Sequence, residues 1–474
     1  MSAHLFISHF KRFLKGNSKH LIEVMTLILF LVLGENILEY LLINDEGTFE
    51  RAVIHDFYQT SENIDYLYLG TSHVFCDINP YILDDINGKN NFLLATSAQP
   101  LIASYYLLKE ADKRNDLKCV YVDLNISFLM EDNTDWREPD GLVTSWQVMN
   151  QMKCSINKLD WIIHSTRPRY VYLSLFPSTR YKNRILDFNY LAERWYRKSQ
   201  EDYLNYKDNE NYVHKGYSVS EYIPIADELY YATSRKSVGE LRLLSEDAKE
   251  YLIKIIEYCN INGIELIVYS NPVSDWVLCR EGDYDNYIVQ IKELLSEYGL
   301  EYYDFNLCKK EYLDISDHMY WGDNNHMNAY GMDAYTYFLG NFFEKLDNGE
   351  IQCDDYFYDS YQQKLNDIDE EVFGVVVEEV DSEGKADCLA VAGIQDDVDD
   401  YRVFLLSTED NLQNDKVEFY VYTEDIETSE KLYMQDWNES NIYMIPADIK
   451  ECRIGVKVRV AGTGQEYGEV MVEY

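Results

Sequence analysis

The 474-residue sequence has few basic residues and no paired cysteine motif. Its 84 Asp and Glu outnumber its 42 Lys and Arg, which gives a formal net charge of −42. Because such a surface repels phosphate backbones, we expect no nucleic-acid partner; it is typical of a solvated, exported protein. The nine cysteines are scattered, odd in number and without CxxC or zinc-type spacing. We therefore predict no disulfide framework, no metal site and no other cofactor.

The chain also lacks internal repeats, and it has a single apolar run long enough to suggest a membrane-spanning helix. Residues 24–43 form a mostly apolar segment of 20 residues, and a helix of that length spans about 30 Å of hydrocarbon. The basic stretch 9–20 predicts a cytoplasmic N-terminus and an extracellular main domain. No small-x-small cleavage site follows, so we predict an uncleaved, single-pass anchor in the cell membrane. A signal peptide, or an amphipathic helix docked on the soluble domain, is the alternative.

Beyond this segment, apolar strands alternate with amphipathic helices, which predicts a parallel sheet covered by helices on both faces. The predicted strands are 65–70, 91–96, 119–125, 264–272 and 300–306. Residues 126–240 lack this rhythm. We interpret them as a helical insertion over the carboxyl edge of the sheet, forming a lid or a binding surface.

The predicted organisation has four parts. A cytoplasmic basic segment and anchor (1–46) precedes the α/β domain (47–347), which contains the insertion. An acidic linker (348–370) then leads to short β-branched or alternating runs, which predict a small β-sandwich-like domain at 371–474.

A serine and a histidine follow the first predicted strand directly, in "YLYLGTSH" (66–73). Ligands bind at the carboxyl ends of parallel strands, and a serine hydroxyl placed there becomes a nucleophile when a base removes its proton. The stretch "DNNH" (323–326), after the last predicted strand, supplies His326 as that base. Asp323, three residues earlier, can hold the imidazole in one tautomer. Capping of the next helix by Ser72 is the alternative.

The blocks "LGTSH" and "DNNHMN" resemble the first and last blocks of the SGNH/GDSL hydrolase superfamily. The resemblance covers residues 62–346 and implies a three-layer, flavodoxin-like α/β fold. It also implies that Ser72 is the nucleophile, His326 the general base and Asp323 its orienting carboxylate. With the predicted anchor, the chain looks most like the exported, membrane-anchored SGNH proteins that work beside membrane-bound O-acyltransferases, of the teichoic-acid D-alanylation and alginate-acetylation types.

The sequence departs from the family pattern in two blocks. The family's G-D-S-L reads G-T-S-H here, and the second-block glycine has no clear match in "ATSAQP" (95–100). For the oxyanion donors, the serine amide is joined by Asn125 and Gln99 as candidates. His73 and Asn271 are candidates for lining the pocket, although a helix start and a plain turn also explain them.

We therefore predict an anchored, extracellular esterase or O-acyltransferase that acts on acyl groups of a cell-envelope polysaccharide, or of another acylated glycan, through an acyl-Ser72 intermediate. Resolution by water or by a glycan hydroxyl remains open, because the triad is common to both. The resemblance implies a membrane-bound O-acyltransferase as partner, whose helices could satisfy Glu35 and Glu39. The alternative is a catalytically idle SGNH fold that acts as a cell-envelope binding or assembly factor.

Overall fold

The computed structural model describes most of the chain up to residue 364 and separate strands beyond it. The described residues are 18–130, 136–220, 242–274, 278, 284–315, 318–323, 325–364, 376–377, 389–398, 401–408, 417–425, 428, 431–438, 442–446, 452–460 and 466–473. Several predicted features lie outside these residues: the basic positions 9–17, the insertion's last part (221–240) and the end of the acidic linker (365–370).

Helices and strands alternate through the first three quarters of the described chain. The α-helices are α1 (Ser18–Leu42), α2 (Phe49–Gln59), α3 (Ser72–Asp77), α4 (Pro80–Asn87), α5 (Leu101–Asp112), α6 (Ile126–Leu129), α7 (Val143–Gln151), α8 (Ile156–Ser165), α9 (Val171–Leu175), α10 (Phe188–Lys198), α11 (Glu201–Leu204), α12 (Glu246–Asn262), α13 (Tyr284–Ser296), α14 (Ala329–Asp347) and α15 (Cys353–Tyr356). The strands are β1 (Tyr66–Leu69), β2 (Asn91–Leu93), β3 (Cys119–Asp123), β4 (Tyr212–Val213), β5 (Tyr217–Ser218), β6 (Glu265–Ser270), β7 (Tyr302–Asp304), β8 (Val376–Val377), β9 (Leu389–Val398), β10 (Tyr401–Thr408), β11 (Val417–Asp425), β12 (Lys431–Asn438), β13 (Ile442–Pro446), β14 (Cys452–Val460) and β15 (Glu466–Glu473). Short 3₁₀ segments cover Pro168–Tyr170, Pro177–Arg184, His214–Gly216, Phe305–Leu307 and His318–Tyr320.

Five strands form one parallel sheet in the order β2-β1-β3-β6-β7. The predicted α/β class with a parallel sheet is therefore confirmed, and each predicted strand contains an observed one. After β1 the chain passes to β2 on one side of it and then to β3 on the other side. Open α/β sheets bind their ligands at such a switch point, outside the carboxyl ends of the strands.

The strands are continuous apolar runs because helices cover the sheet. All five residues of β3 are buried, as expected for a parallel strand enclosed on both faces. The helices have clear ends: the Ser245 side chain caps α12, and Gly263 ends it with a φ of +69°. Helix α4 packs against α14, and α5 packs against α12.

The described contacts divide the chain into two compact units, one of residues 1–59 with 133–212, and one of residues 60–132 with 213–474. The first unit joins the end of α1 to the insertion. The Glu35 carboxylate accepts hydrogen bonds from Ser178, at 2.9 Å from its backbone N and 2.6 Å from its Oγ. We expected Glu35 to face a membrane partner or the outer interface; the structure gives it a partner within the chain. Within the described residues, no helix is both long and apolar enough to cross a bilayer.

Residues just after α1 also pair with the insertion. The Lys198 ammonium, which is buried, lies 2.6 Å from an Asp45 carboxylate oxygen, and Arg194 is paired with Glu46. The hydroxyl of Tyr190 donates to the carbonyl of Leu42 at 2.7 Å. Residue 46, the predicted end of the anchor, therefore lies inside a packed unit.

The strands beyond residue 375 form two four-stranded antiparallel sheets. Their orders are β13-β10-β9-β8 and β12-β11-β14-β15. Within the predicted β domain at 371–474, the alternating or β-branched stretches 401–408 and 452–460 form β10 and β14. The sandwich-like packing of the two sheets stays a prediction.

Candidate active site

Ser72 lies at the switch point, three residues beyond the end of β1. A Cβ placed on Gly70 would come within 2.7 Å of both the Asp123 Cβ and the Val74 Cγ2, so only glycine fits where the strand turns into α3. Thr71 occupies the N-cap position of α3, and its side chain makes no capping hydrogen bond. Ser72 is thus the first residue inside the helix rather than its cap, which removes the capping interpretation of its hydroxyl.

The Ser72 hydroxyl instead meets His326. Its Oγ lies 2.7 Å from the His326 Nε2, within hydrogen-bond distance. On the other side of the ring, the Nδ1 lies 2.9 Å from Asp323 Oδ2 and 3.1 Å from Oδ1. With the Nδ1–H donated to this carboxylate, Nε2 is free to accept the serine proton. The structure therefore places Ser72 next to Asp323 and His326, which follow it by about 250 positions in the sequence.

The loop that carries His326 is held by its own hydrogen bonds. Asp323 Oδ1 accepts from the backbone N of Asn325 at 2.7 Å and of His326 at 2.9 Å. The backbone N of Gly322 donates to the His326 carbonyl at 2.9 Å. Asn328 then caps α14 by accepting from two backbone N–H groups of its first turn. These hydrogen bonds hold the backbone of His326 in place in the absence of substrate.

Charge and hydrogen bonding set the protonation states of this pair. Burial opposes ionisation of Asp323, but the hydrogen bond and charge of His326, together with two backbone donors, lower its pKa to about 2. Burial likewise lowers the pKa of His326, and the hydrogen bond and charge of Asp323, with the charge of Asp77, raise it above its ordinary value overall. At neutral pH the carboxylate is therefore ionised and stabilises the imidazolium that a reaction would form.

A second buried pair lies beside the imidazole. The His73 ring stacks on the His326 ring with centroids 5.1 Å apart, and its Nδ1 lies 3.4 Å from Asp77 Oδ2. Asp77 is fully buried, and its Oδ1 accepts a hydrogen bond from the backbone N of Met327 at 2.9 Å. Burial raises the pKa of Asp77, although His73 opposes the shift. His73 is thus a buried neighbour of the triad. Asp77 connects α3, which carries Ser72, to the loop that carries His326.

Another buried carboxyl, Asp123, ends β3 beneath the turn that presents Ser72. Its Oδ1 accepts a hydrogen bond from the backbone N of Asn271 at 2.9 Å. Burial raises the pKa of Asp123 to about 6, against the charge of His73. The Asn271 carbonyl in turn accepts from Asn306 Nδ2 at 3.3 Å. Asn271 is buried at the carboxyl end of β6, where its backbone links β6 to β3.

The two candidate oxyanion side chains have different surroundings. Gln99 is buried; its Nε2 donates to Ser104 Oγ at 2.9 Å, and its Oε1 accepts from Thr96 Oγ1 at 2.9 Å. Its amide thus belongs to a hydrogen-bond network that joins the loop after β2 to α5, and its role as an oxyanion donor stays a prediction. Asn125 is half-buried, two residues beyond β3 and at the same sheet edge as Ser72, and it stays a candidate.

The loop after β2 also contains an unusual backbone. Ala98 has a φ of +47°, in the left-handed region that favours glycine. An alanine with this φ is unusual, because its Cβ crowds the backbone in the left-handed region. Sequence reasoning missed this position, because the letters "ATSAQP" contain no glycine to mark it.

Sequence reasoning also missed Asp77 and Asp123. Asp123 ends the strand "CVYVD", where a carboxylate closing an apolar run is a signal that could have been used. Asp77 stands four residues after His73 on α3, the spacing that places two side chains on one helix face. In the part of the chain that the structure describes, no group of three or more His, Cys, Asp or Glu side chains could hold a metal ion.

No protein-family model matches the chain, and no curated protein matches it in sequence.

Proposed function

We propose that this chain is an SGNH/GDSL-type serine esterase or O-acyltransferase that acts on acyl groups of a cell-envelope polysaccharide or a related glycan. One observation carries the proposal: a serine hydroxyl, an imidazole and a carboxylate form a hydrogen-bonded series, with distances of 2.7 Å and 2.9 Å, at the switch point of a parallel sheet. Nucleophilic acyl transfer requires this arrangement of nucleophile, base and orienting group.

In the proposed reaction, Ser72 Oγ attacks the carbonyl carbon of an acyl ester while His326 Nε2 takes its proton. The developing oxyanion receives hydrogen bonds from the Ser72 backbone N–H, with Asn125 as the side-chain candidate. Collapse of the tetrahedral intermediate expels the alcohol, which His326 protonates, and leaves an acyl-Ser72 ester. A second hydroxyl, deprotonated by His326, then attacks this ester and regenerates the serine.

The second hydroxyl decides between hydrolysis and transfer. We propose that the chain is anchored in the cell membrane through residues 24–43, with its main domain extracellular, and that a membrane-bound O-acyltransferase supplies the acyl group. A transferase of this kind should hydrolyse p-nitrophenyl acetate slowly, because water is not its intended acceptor. Adding an envelope oligosaccharide should divert the acyl group onto the sugar, seen by mass spectrometry. Fast hydrolysis without diversion supports a plain esterase.

A fluorophosphonate probe tests the nucleophile directly. The full chain should be labelled on Ser72, and Ser72→Ala should abolish labelling while Ser296→Ala, an exposed serine on α13, leaves it intact. His326→Ala should also abolish labelling, because the hydroxyl loses its base. A well-folded chain that takes up no probe would instead support an idle SGNH fold acting as a binding or assembly factor.

The two substitutions should not add. The nucleophile and its base act as one unit, so a Ser72→Ala/His326→Ala chain should retain as much ester turnover as either single variant. Thermal melts of the three variants should stay close to that of the parent. Additive losses, or turnover retained in Ser72→Ala, would contradict the assignment.

A further inference from the structure

One segment within the insertion has a charge opposite in sign to that of the whole chain. Residues 151–200 contain ten Lys and Arg and three Asp and Glu, a net charge of +7 in a protein whose net charge is −42. Lys182 and Arg197 are among the exposed members of this set. Three carboxylates outside the segment, Asp45, Glu46 and Glu138, pair with four of its basic side chains, which leaves an excess of four positive charges. This remaining excess favours an anionic partner.

Helix α8 of the same segment has two apolar faces. Trp161 and Ile162 are buried, whereas Ile156 and Ile163 are exposed on the opposite side, at 82% and 63%. Leu159 lies between these two on the exposed face, which gives a stripe with i, i+3, i+7 spacing. Packing within the compact unit accounts for the buried face with Trp161 and Ile162, but not for the exposed apolar face.

Helix α10 and the turn before it repeat this arrangement. Leu186 and Phe188 are exposed at 81% and 78%, and Trp195 lies on the same face of α10 as Phe188, seven residues on. Lys198, three residues after Trp195, is buried and paired with Asp45, so the exposed face ends beside it. Apolar side chains this exposed are uncommon on a monomer's surface and mark a contact site when they cluster.

Part of helix α1 is apolar and exposed, and it lies next to the insertion. Its residues 29–33 are apolar and at least 49% exposed on every side of the helix, a pattern that requires an apolar solvent or partner. The bond between Glu35 and Ser178 begins two residues later, about 3 Å along the helix axis. The segment Pro177–Arg184, which contains Ser178, therefore packs against α1 next to the apolar part of that helix.

We propose that the exposed apolar side chains of α8, α10 and the 186–188 turn form a second membrane contact, seated in the headgroup region of a bilayer that contains anionic lipids. Leu, Ile, Phe and Trp beside Lys and Arg are the composition of interfacial membrane-binding helices. The two most exposed residues of this surface, Ile156 and Leu186, are aliphatic side chains without hydrogen-bonding groups, which suits lipid better than a neutral glycan. The continuity with the apolar part of α1 favours lipid over a soluble protein. The inference does not depend on the chemistry at Ser72.

Depth-dependent quenching of Trp195 tests the contact in the full chain, reconstituted in vesicles of phosphatidylcholine with about one third phosphatidylglycerol. Lipids brominated on the acyl chains should quench part of the tryptophan emission, and Trp195→Phe should remove a measurable share of the quenchable signal. The double substitution Leu186→Glu/Phe188→Glu should reduce the Trp195 contribution by at least about twofold. Ile261→Glu should not, since Ile261 is as exposed as Ile156, at 82%, but lies outside the insertion.

The positive charge of residues 151–200 predicts that the quenching of Trp195 also depends on anionic lipid and on salt. Replacing phosphatidylglycerol by phosphatidylcholine, or raising the salt concentration, should weaken the quenching of Trp195. Thermal melts in detergent check that the variants fold; if the double variant does not, Ile156→Glu/Ile163→Glu on α8 tests the same surface. An unquenched Trp195, or quenching indifferent to both double variants, overturns the proposal. Shielding of Trp195 that appears only when a membrane protein is added overturns it in favour of a protein partner.

Discussion

Replacing Asp123 by asparagine should make the stability of this protein less sensitive to pH. The Asp123 carboxyl is fully enclosed at the end of β3, and burial raises its pKa from 3.8 to about 6. A carboxyl with a higher pKa in the folded state holds its proton more tightly there than in the unfolded chain. The free energy of unfolding therefore falls as the pH rises from about 4 to about 6, and it stays reduced above that range.

The size of the effect follows from the two pKa values. Each pKa unit corresponds to 1.36 kcal/mol, so a rise from 3.8 to about 6 costs about 3 kcal/mol of stability at pH 8. Asparagine cannot ionise, yet its Oδ1 can still accept the hydrogen bond from the Asn271 backbone N. The melting temperature of Asp123→Asn minus that of the parent should thus increase by roughly 5 °C between pH 4 and pH 8.

Thermal melts at pH 4, 5, 6, 7 and 8, followed by circular dichroism, measure this difference. Any fixed cost of burying the new amide hydrogens shifts all points equally, so the slope carries the test. Asp359→Asn is the control, because Asp359 is exposed and its difference should stay flat. A difference for Asp123→Asn that is constant, or that decreases as the pH rises, would refute the reasoning.

Three further substitutions probe the site. Asp323→Asn removes a charge-assisted hydrogen bond worth about 1.5–3 kcal/mol. Because the Asp323 carboxylate is 58% exposed, we expect only about a 10–100-fold loss of ester turnover. The acid limb of the pH–rate profile should also move to lower pH, because the pKa of His326 falls when the carboxylate is removed. A loss equal to that of His326→Ala would contradict this. Gly70→Ala should lower the unfolding free energy by about 1–3 kcal/mol in urea melts, through overlap with Asp123, and should also impair turnover; a neutral result would show that the turn can shift. Ala98→Gly should raise it by about 1 kcal/mol, because glycine adopts a φ of +47° without strain; an unchanged melt would mean that the backbone relaxes around alanine.

Much of the sheet could be predicted from the sequence, because a strand buried on both faces must be apolar throughout. β1 is apolar throughout, and β3 is apolar up to its last residue, Asp123. The same logic placed Ser72 and His326 at one edge, since both follow strands of a parallel sheet. The end of β7 was overestimated because its last predicted residues form a 3₁₀ turn at Phe305–Leu307.

The supporting residues could not be predicted in this way. The role of Asp77 depends on the backbone N of Met327, 250 residues away, and no local pattern encodes such a contact. Gln99 has the chemistry of an oxyanion donor, but its partners Thr96 and Ser104 engage it. From the sequence alone, Glu35 suggested a membrane partner. Its actual partner, Ser178, lies 143 positions further along the chain and could not be recognised from the local sequence. Such long-range pairings decide which polar groups remain free.

The distance along the chain between Ser72 and His326 has a consequence for the life of the protein. Their hydrogen bond closes a loop of 254 residues, and the bond between Asp77 and Met327 closes a loop of almost the same length. Because a ribosome makes the chain from its N-terminus, the serine emerges long before the base that activates it. A nascent or prematurely terminated chain thus carries an inert hydroxyl, and reactivity appears only after the residues up to 327 have folded back onto α3. Activity would therefore report that synthesis and folding have passed this point.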